Sequence, residues 1–217
     1  MKKRKNIITV AIDSPAAAGA GTQAKYIAKE FNLLYLDTGK IYRYIGKIYL
    51  KKKKLKYDFI KKKIKKINLT DLENPELLTD EIAKSASIVA RNKTIRKIIK
   101  QFQIKFAYDP PNKFSGSVLD GRDITSVIMK DAMFKFYITA NLKVRARRRY
   151  NEFKKLKKNI SYIDVLKSLR NRDYLDKNRK HSPLKKTKDS ILINTSKLSK
   201  KACFLKIKTI MDKKLKN

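Results

Sequence analysis

Residues 7–31 read IITVAIDSPAAAGAGTQAKYIAKEF, and the fold turns on this stretch. A β-branched run from Ile7 to Ile12 ends in Asp13, small residues fill the bend that follows, and a helical pattern opens at Gly21 and Thr22. Strand, small-residue bend and helix are the setting in which a G-x-x-x-x-G-K-[ST] phosphate loop sits. Tiny side chains let successive backbone N–H groups curl round a phosphate, and the helix N-terminus adds partial positive charge. Thr22, one place past the motif's last position, offers the magnesium-binding hydroxyl. Three positions depart from the motif: Ser14 replaces the opening glycine, Ala20 the lysine and Gly21 the hydroxyl residue. Alone, the loop is compatible with nucleotide binding and equally with a plain strand-to-helix turn.

Working outward, the 217 residues suffice for one sizeable core, and a hydrophobic content of 42% fits a soluble globular chain. Lys and Arg number 56 against 19 Asp and Glu, a net charge of +37. Such a charge attracts polyanions: nucleic acid, acidic membrane or phosphorylated small molecules. Its spread favours a compositional habit instead, because Lys, Ile and Asn are over-used together along the whole chain. The scattered arginines are therefore the more telling cations. No apolar run approaches the ~20 residues that cross a bilayer. The basic start leads straight into the short apolar run of the loop, unlike a signal peptide. A single cysteine, Cys203, leaves no internal disulfide and fits a reducing cytoplasm.

Further strand candidates are residues 33–36, 117–119, 134–138 and 190–194, each short and apolar. Helical periodicity runs from Ile41 towards Leu55, over 57–67, near 80–90 and 94–106, from Leu142 onward, over 162–179, and from a capping Ser199 to Leu215. Residues 68–80 are turn-rich, Asp109-Pro110-Pro111 stops a helix, and 154–159 reads as an exposed loop. The basic amphipathic segment 57–67 suits a lysine-coated helix over the core better than a membrane-surface helix. Five short strands alternating with helices predict an α/β fold, a five-stranded parallel sheet flanked by helices. Ligands bind beyond the carboxyl ends of such strands, where Asp13, Asp37 and Asp120 fall.

The chain resembles the bacterial cytidylate kinases, a branch of the P-loop nucleoside monophosphate kinases. The resemblance takes in, in order, AIDSPAAAGAGT (11–22), LDTGKIYR (36–43), ASIVARNKTIR (86–96), LDGRDI (119–124), RARRR (145–149) and RDYLDKNR (172–179). It implies one P-loop kinase domain over 1–217, with a monophosphate-binding region at 40–106 and a small lid at 147–162. It also implies transfer of the γ-phosphate of ATP to CMP or dCMP, with Mg²⁺. Ser14, Pro15, Ala16, Ala17, Ala18, Gly19, Ala20, Gly21 and Thr22 would hold ATP. Thr22 would touch the metal, and Asp120 would hold it through water.

By the same resemblance Arg43, Arg122, Arg172 and Arg179 would surround the acceptor phosphate, with Thr38 and Tyr42 lining its pocket. Phosphoryl transfer asks a protein to align two polyanions and stabilise their charge, and arginine's planar fork suits phosphate oxygens. Asp123 would accept from cytosine's amino group, Ser87 and Arg96 would complete the base edge, and Asp176 would take a sugar hydroxyl. Read alone, Asp123 is also a helix N-cap, and Arg172 with Asp176 is also an i, i+4 surface pair. Arg148 and Arg149 match the lid's arginine pair and, with Arg172, would be catalytic. Expected partners are ATP and CMP or dCMP, with no specific nucleic acid and no membrane, for a cytoplasmic monomer.

Two features depart from the family pattern. Its members carry a lysine where Ala20 stands, and Lys25 or Lys40 are the substitutes that sequence suggests. Residues 55–86 are short and mostly helical where relatives carry a small β-rich insert. The rival readings are a nucleotide-binding pseudokinase, inactive through Ala20, and a basic nucleic-acid-binding protein on the same fold. His181 and Cys203 receive no role.

Overall fold

The computed structural model describes residues 7–52, 54, 56–156 and 159–216. The basic start, together with Lys53, Leu55, Lys157, Lys158 and Asn217, lies outside the described residues, so part of the expected lid does too. Five strands form one parallel sheet: β1 (Ile8–Asp13), β2 (Leu33–Asp37), β3 (Gly116–Gly121), β4 (Phe134–Thr139) and β5 (Ile191–Asn194). Their order is β2-β3-β1-β4-β5, which puts β1 in the centre and turns the chain outward on both sides of it. The crevice at that reversal lies at the carboxyl end of β1, where the phosphate loop begins.

Alternation along the strands divides the core in two. Val10, Ile12, Val118, Phe136 and Ile138 face helices α1 (Ala20–Glu30) and α8 (Lys200–Lys216), which contribute Ile27 and Ile207. Ala11, Leu36 and Leu119 face the other way, against Ile41 and Ile45 of α2 (Thr38–Lys52), Ile60 of α3 (Tyr57–Lys65) and Ile99 of α5 (Lys93–Tyr108). Both faces being covered, the strands read as continuous apolar runs. A third cluster joins α6 (Leu142–Lys155) to α7 (Tyr162–Asn178) and seats Ala16 of the loop against Ala146, Phe153 and Leu169.

Among the described residues, 56–86 hold no strand; two 3₁₀ turns, Thr70–Glu73 and Pro75–Leu78, lead into α4 (Asp80–Val89). α4 crosses α2 closely at Gly46, where an added Cβ would lie 2.8 Å from the Ala86 nitrogen. That contact fixes α4, which carries Ser87. The loop expected at 154–159 is corrected at its start: Lys154 and Lys155 belong to α6. The seven segments that periodicity marks as helices from residue 41 on are otherwise helical to within a few residues at each end, among the described residues.

A π-helical turn, Ile124–Ile128, follows β3 and is held from across the sheet. The buried carboxylate of Asp13 accepts from the backbone N–H groups of Ile124 (2.7 Å) and Thr125 (2.9 Å) and from the Thr125 hydroxyl (2.5 Å). Asp123, expected to cap this turn, makes no capping bond, because Asp13 already meets those donors. Burial pushes the Asp13 carboxyl from 3.8 up to about 6, the hydrogen bonds offsetting it only in part. A folded value above the unfolded one means that the folded chain binds the proton more tightly, so this group's contribution to stability falls as pH rises from about 4 to about 6. Asp13→Asn turns an acceptor into a donor facing donors, and should cost ~1–3 kcal/mol. Thermal unfolding near neutral pH should show a midpoint several degrees lower, and the variant should lose that part of the pH dependence. An unchanged midpoint would mean that the turn holds without this cap.

Candidate active site

A cavity of about 790 Å³ opens at the carboxyl ends of the strands, and every residue to which the resemblance gives a role at the site lies in its wall. The phosphate loop forms one side. Ala17 (φ 59°) and Gly19 (φ 93°) both take the left-handed conformation, which turns the chain sharply into α1. α1 has no side-chain cap and no acidic residue in its first turn. Its uncapped N–H groups suit an anion.

Asp120, at the end of β3, lies beside this turn: its Oδ2 is 3.7 Å from where a Cβ on Gly21 would stand. Oδ1 accepts from the Tyr35 hydroxyl at 2.9 Å, and the Thr38 hydroxyl donates to the Asp120 carbonyl at 2.8 Å. Burial, reinforced by nearby Asp37, raises the Asp120 carboxyl to about 8. A carboxylate crowded by another carboxylate is suited to a bound divalent ion.

The opposite side is cationic. Arg96 donates to Asp123 Oδ2 at 2.6 Å, and Arg179 approaches Oδ1 at 3.8 Å. The Arg96 guanidinium also stands 5.5 Å from the Tyr42 ring. Arg122 Nε donates to Asp176 at 2.9 Å, while Arg172 Nε stands 3.9 Å from the same oxygen. The i, i+4 pair is therefore the weaker half of a three-residue cluster. Burial, then the Arg122, Arg43 and Arg149 charges, lowers Arg172 to about 10. Arg172 Nε and Arg179 Nη2 are buried atoms with no hydrogen-bond partner. Crowded cations with spare donors suit a multiply charged anion. Arg43 is oriented by the Leu77 carbonyl, to which it donates at 2.7 Å, and Ser87 donates to Ala83 O within its own helix.

The arginines of α6 divide. Arg149 pairs with Glu152 at 3.1 Å and covers the Phe153 ring. Arg148 donates both to the Thr195 hydroxyl (2.9 Å) and to its carbonyl (2.7 Å). Neither Lys25 nor Lys40, the suggested substitutes for the missing lysine, lies in the cavity wall. Lys25 is exposed on the outer side of α1, because the helix turns Ala20, Gln23, Ala24 and Ile27 inward. Ala20 itself is buried, in the core cluster that also holds Ala18, Ala24 and Cys203.

Among the wall residues that the sequence reading did not name as site residues are Gln23, Asp37, Thr195 and Lys200. Asp37 carried a legible signal, standing at a strand end like Asp13 and Asp120. Gln23, Thr195 and Lys200 carried none, since Gln23 meets Lys200 only through a bond across 177 residues, from its Nε2 to the Lys200 carbonyl.

Comparison with known proteins shows the family. The model of a family described as Cytidylate kinase matches residues 10–213. A Cytidylate kinase of Fusobacterium nucleatum is 42% identical over 203 positions, covering 88% of this chain and 91% of that protein. One of Bartonella bacilliformis is 41% identical over 215, covering 97% of each. One of Clostridium botulinum (strain Hall) is 37% identical over 222, covering 95% and 98%. A solved structure of an uncharacterized protein from Eubacterium ventriosum shares the fold, with a TM-score of 0.55 at 15% identity over 94% of this chain and 98% of that one. The arginine-walled cavity opposite an uncapped helix start thus belongs to a chain that is a member of the cytidylate kinase family.

Proposed function

We propose that the chain phosphorylates CMP or dCMP with ATP. The observation that carries this is the convergence of Arg122, Arg172 and Arg179, with the Arg96–Asp123 pair beside them, across one cavity from the uncapped start of α1. ATP's phosphates would rest on the loop's backbone N–H groups. The acceptor phosphate, already an anion near neutral pH, would be gripped by the arginines and aligned with the terminal phosphate, so no general base is required. Asp123 would read the cytosine amino group with Oδ1, the oxygen that Arg96 leaves free. Closure by α6 and the lid would exclude water and bring Arg149 towards the phosphates. A coupled assay of ATP with CMP, dCMP, UMP and AMP tests the reading, which expects turnover with the cytidine nucleotides and little with AMP.

Thr22 and Asp120 are hard oxygen donors at the α1 start, and their chemistry fits Mg²⁺. When bound, the ion would offset charge on the phosphate oxygens. No helix among the described residues is long and apolar enough to cross a membrane. A single buried cysteine and a net charge of +37, which opposes self-association, support a cytoplasmic monomer.

Activity without the loop lysine rests on the guanidinium cluster of Arg43, Arg122, Arg149 and Arg172. With that charge in place, Ala20→Lys should raise kcat less than about tenfold, well below the ~10²–10³ of a donor filling an empty role. Steady-state kinetics checks it. Inert wild type beside an active Ala20→Lys would establish the pseudokinase reading instead.

A further inference from the structure

We propose that Arg145 is a positioning residue that aims the phosphate loop and couples it to the acceptor site, an inference that rests on the function proposed above. Arg145 lies at the root of α6 and is 5% exposed. Its one guanidinium holds three segments. Nε donates to the Ala140 carbonyl after β4 (2.9 Å), and Nη1 donates to the Ala16 carbonyl of the phosphate loop (3.1 Å). Nη1 and Nη2 also form a fork with Asp173 of α7, at 3.1 and 2.5 Å.

The bond to Ala16 has a directional consequence. In a trans peptide the C=O of one residue and the N–H of the next point in opposite directions. Drawing the Ala16 carbonyl towards α6 therefore turns the Ala17 N–H away from α6. The Ala18 carbonyl is drawn out in the same manner, by the Thr195 hydroxyl at 3.0 Å, and Thr195 is in turn gripped by Arg148. Two arginines of one helix, Arg145 directly and Arg148 through Thr195, thus orient the Ala16–Ala17 and Ala18–Gly19 peptides that bracket the left-handed turn at Ala17. In a loop without its lysine, correctly aimed N–H groups carry more of the phosphate binding.

The fork to Asp173 supplies the coupling. Asp173 adjoins Arg172 in the chain and lies one turn before Asp176, so α7 presents its acceptor-site residues from the same anchorage. Ordering the loop around ATP holds Arg145, and a held Arg145 fixes α7. Lysine cannot reproduce a planar fork that serves three acceptors at once.

Calorimetric titration of CMP, of the non-hydrolysable analogue AMP-PNP with Mg²⁺, and of each in the presence of the other tests this. Wild type should bind CMP about fivefold or more tightly once the analogue is bound. Asp173→Asn, similar in volume, should bind each nucleotide alone within about twofold of wild type and lose the coupling. Arg145→Lys should lose the coupling and also weaken the analogue about tenfold. Retained coupling in Asp173→Asn, or equal weakening of both nucleotides with a lowered melting temperature, would make the cluster merely structural and overturn the proposal. Should Arg145→Lys not fold, Asp173→Asn decides. Absence of coupling in a wild type that binds both nucleotides overturns the proposal alone, whereas wild type that binds no CMP overturns the proposed function with it.

Discussion

Arg172→Ala is expected to lower kcat for CMP phosphorylation by ~10²–10³, the usual worth of one preorganised charge donor. The side chain stands among Arg43, Arg122 and Arg149, and its Nε has no hydrogen-bond partner. Burial and like charges lower its pKa to about 10, so this cation is crowded where it stands and a phosphate beside it would offset that. Removing it should therefore leave the folded state no less stable. A fall in kcat with an unchanged or raised melting temperature is the combined result that identifies a group built for the ligand. Lys25→Ala, on the outer side of α1, should change kcat by less than about twofold. Loss of stability in Arg172→Ala with kcat within a few-fold of wild type would return Arg172 and Asp176 to the status of an ordinary ion pair.

The second large effect is on base choice. Asp123→Ala removes the proposed acceptor for the cytosine amino group, and an unmet polar group in a closed site costs ~1–3 kcal/mol. It also strands Arg96, whose partner lies 2.6 Å away in a buried pair, and breaking such a pair costs ~3–5 kcal/mol of stability. The ratio of kcat/KM for CMP to that for UMP separates the two effects, because a general loss lowers both alike. The ratio should fall by about tenfold or more. An unchanged ratio would leave Asp123 as the counter-ion of Arg96 and Arg179, with no part in reading the base.

What the sequence determined by itself was whatever short-range pattern controls. The β-branched run at 8–12, the small residues after it and the 3.6-residue periodicities dictate strand, bend and helix locally, so their places were readable. Alternation of strands and helices implied a parallel sheet, and motif order led to the residues that line one cavity. Tertiary structure alone decided how those residues are used, because the bonds involved span great lengths of chain. Asp13 could not be seen to cap a turn 111 residues away, nor Asp123 to be excused from capping. The bond from Arg145 to Ala16 spans 129 residues, and it is packing of α6 against the phosphate loop that brings them together. Lys25 looked close to the phosphates in sequence, one turn from Thr22, but helical phase put it on the solvent side. Strand order decided the rest. With β1 central, the carboxyl ends of β1 and β3 meet beside the start of α1, and there Asp120 and the arginines of α6 and α7 share one volume.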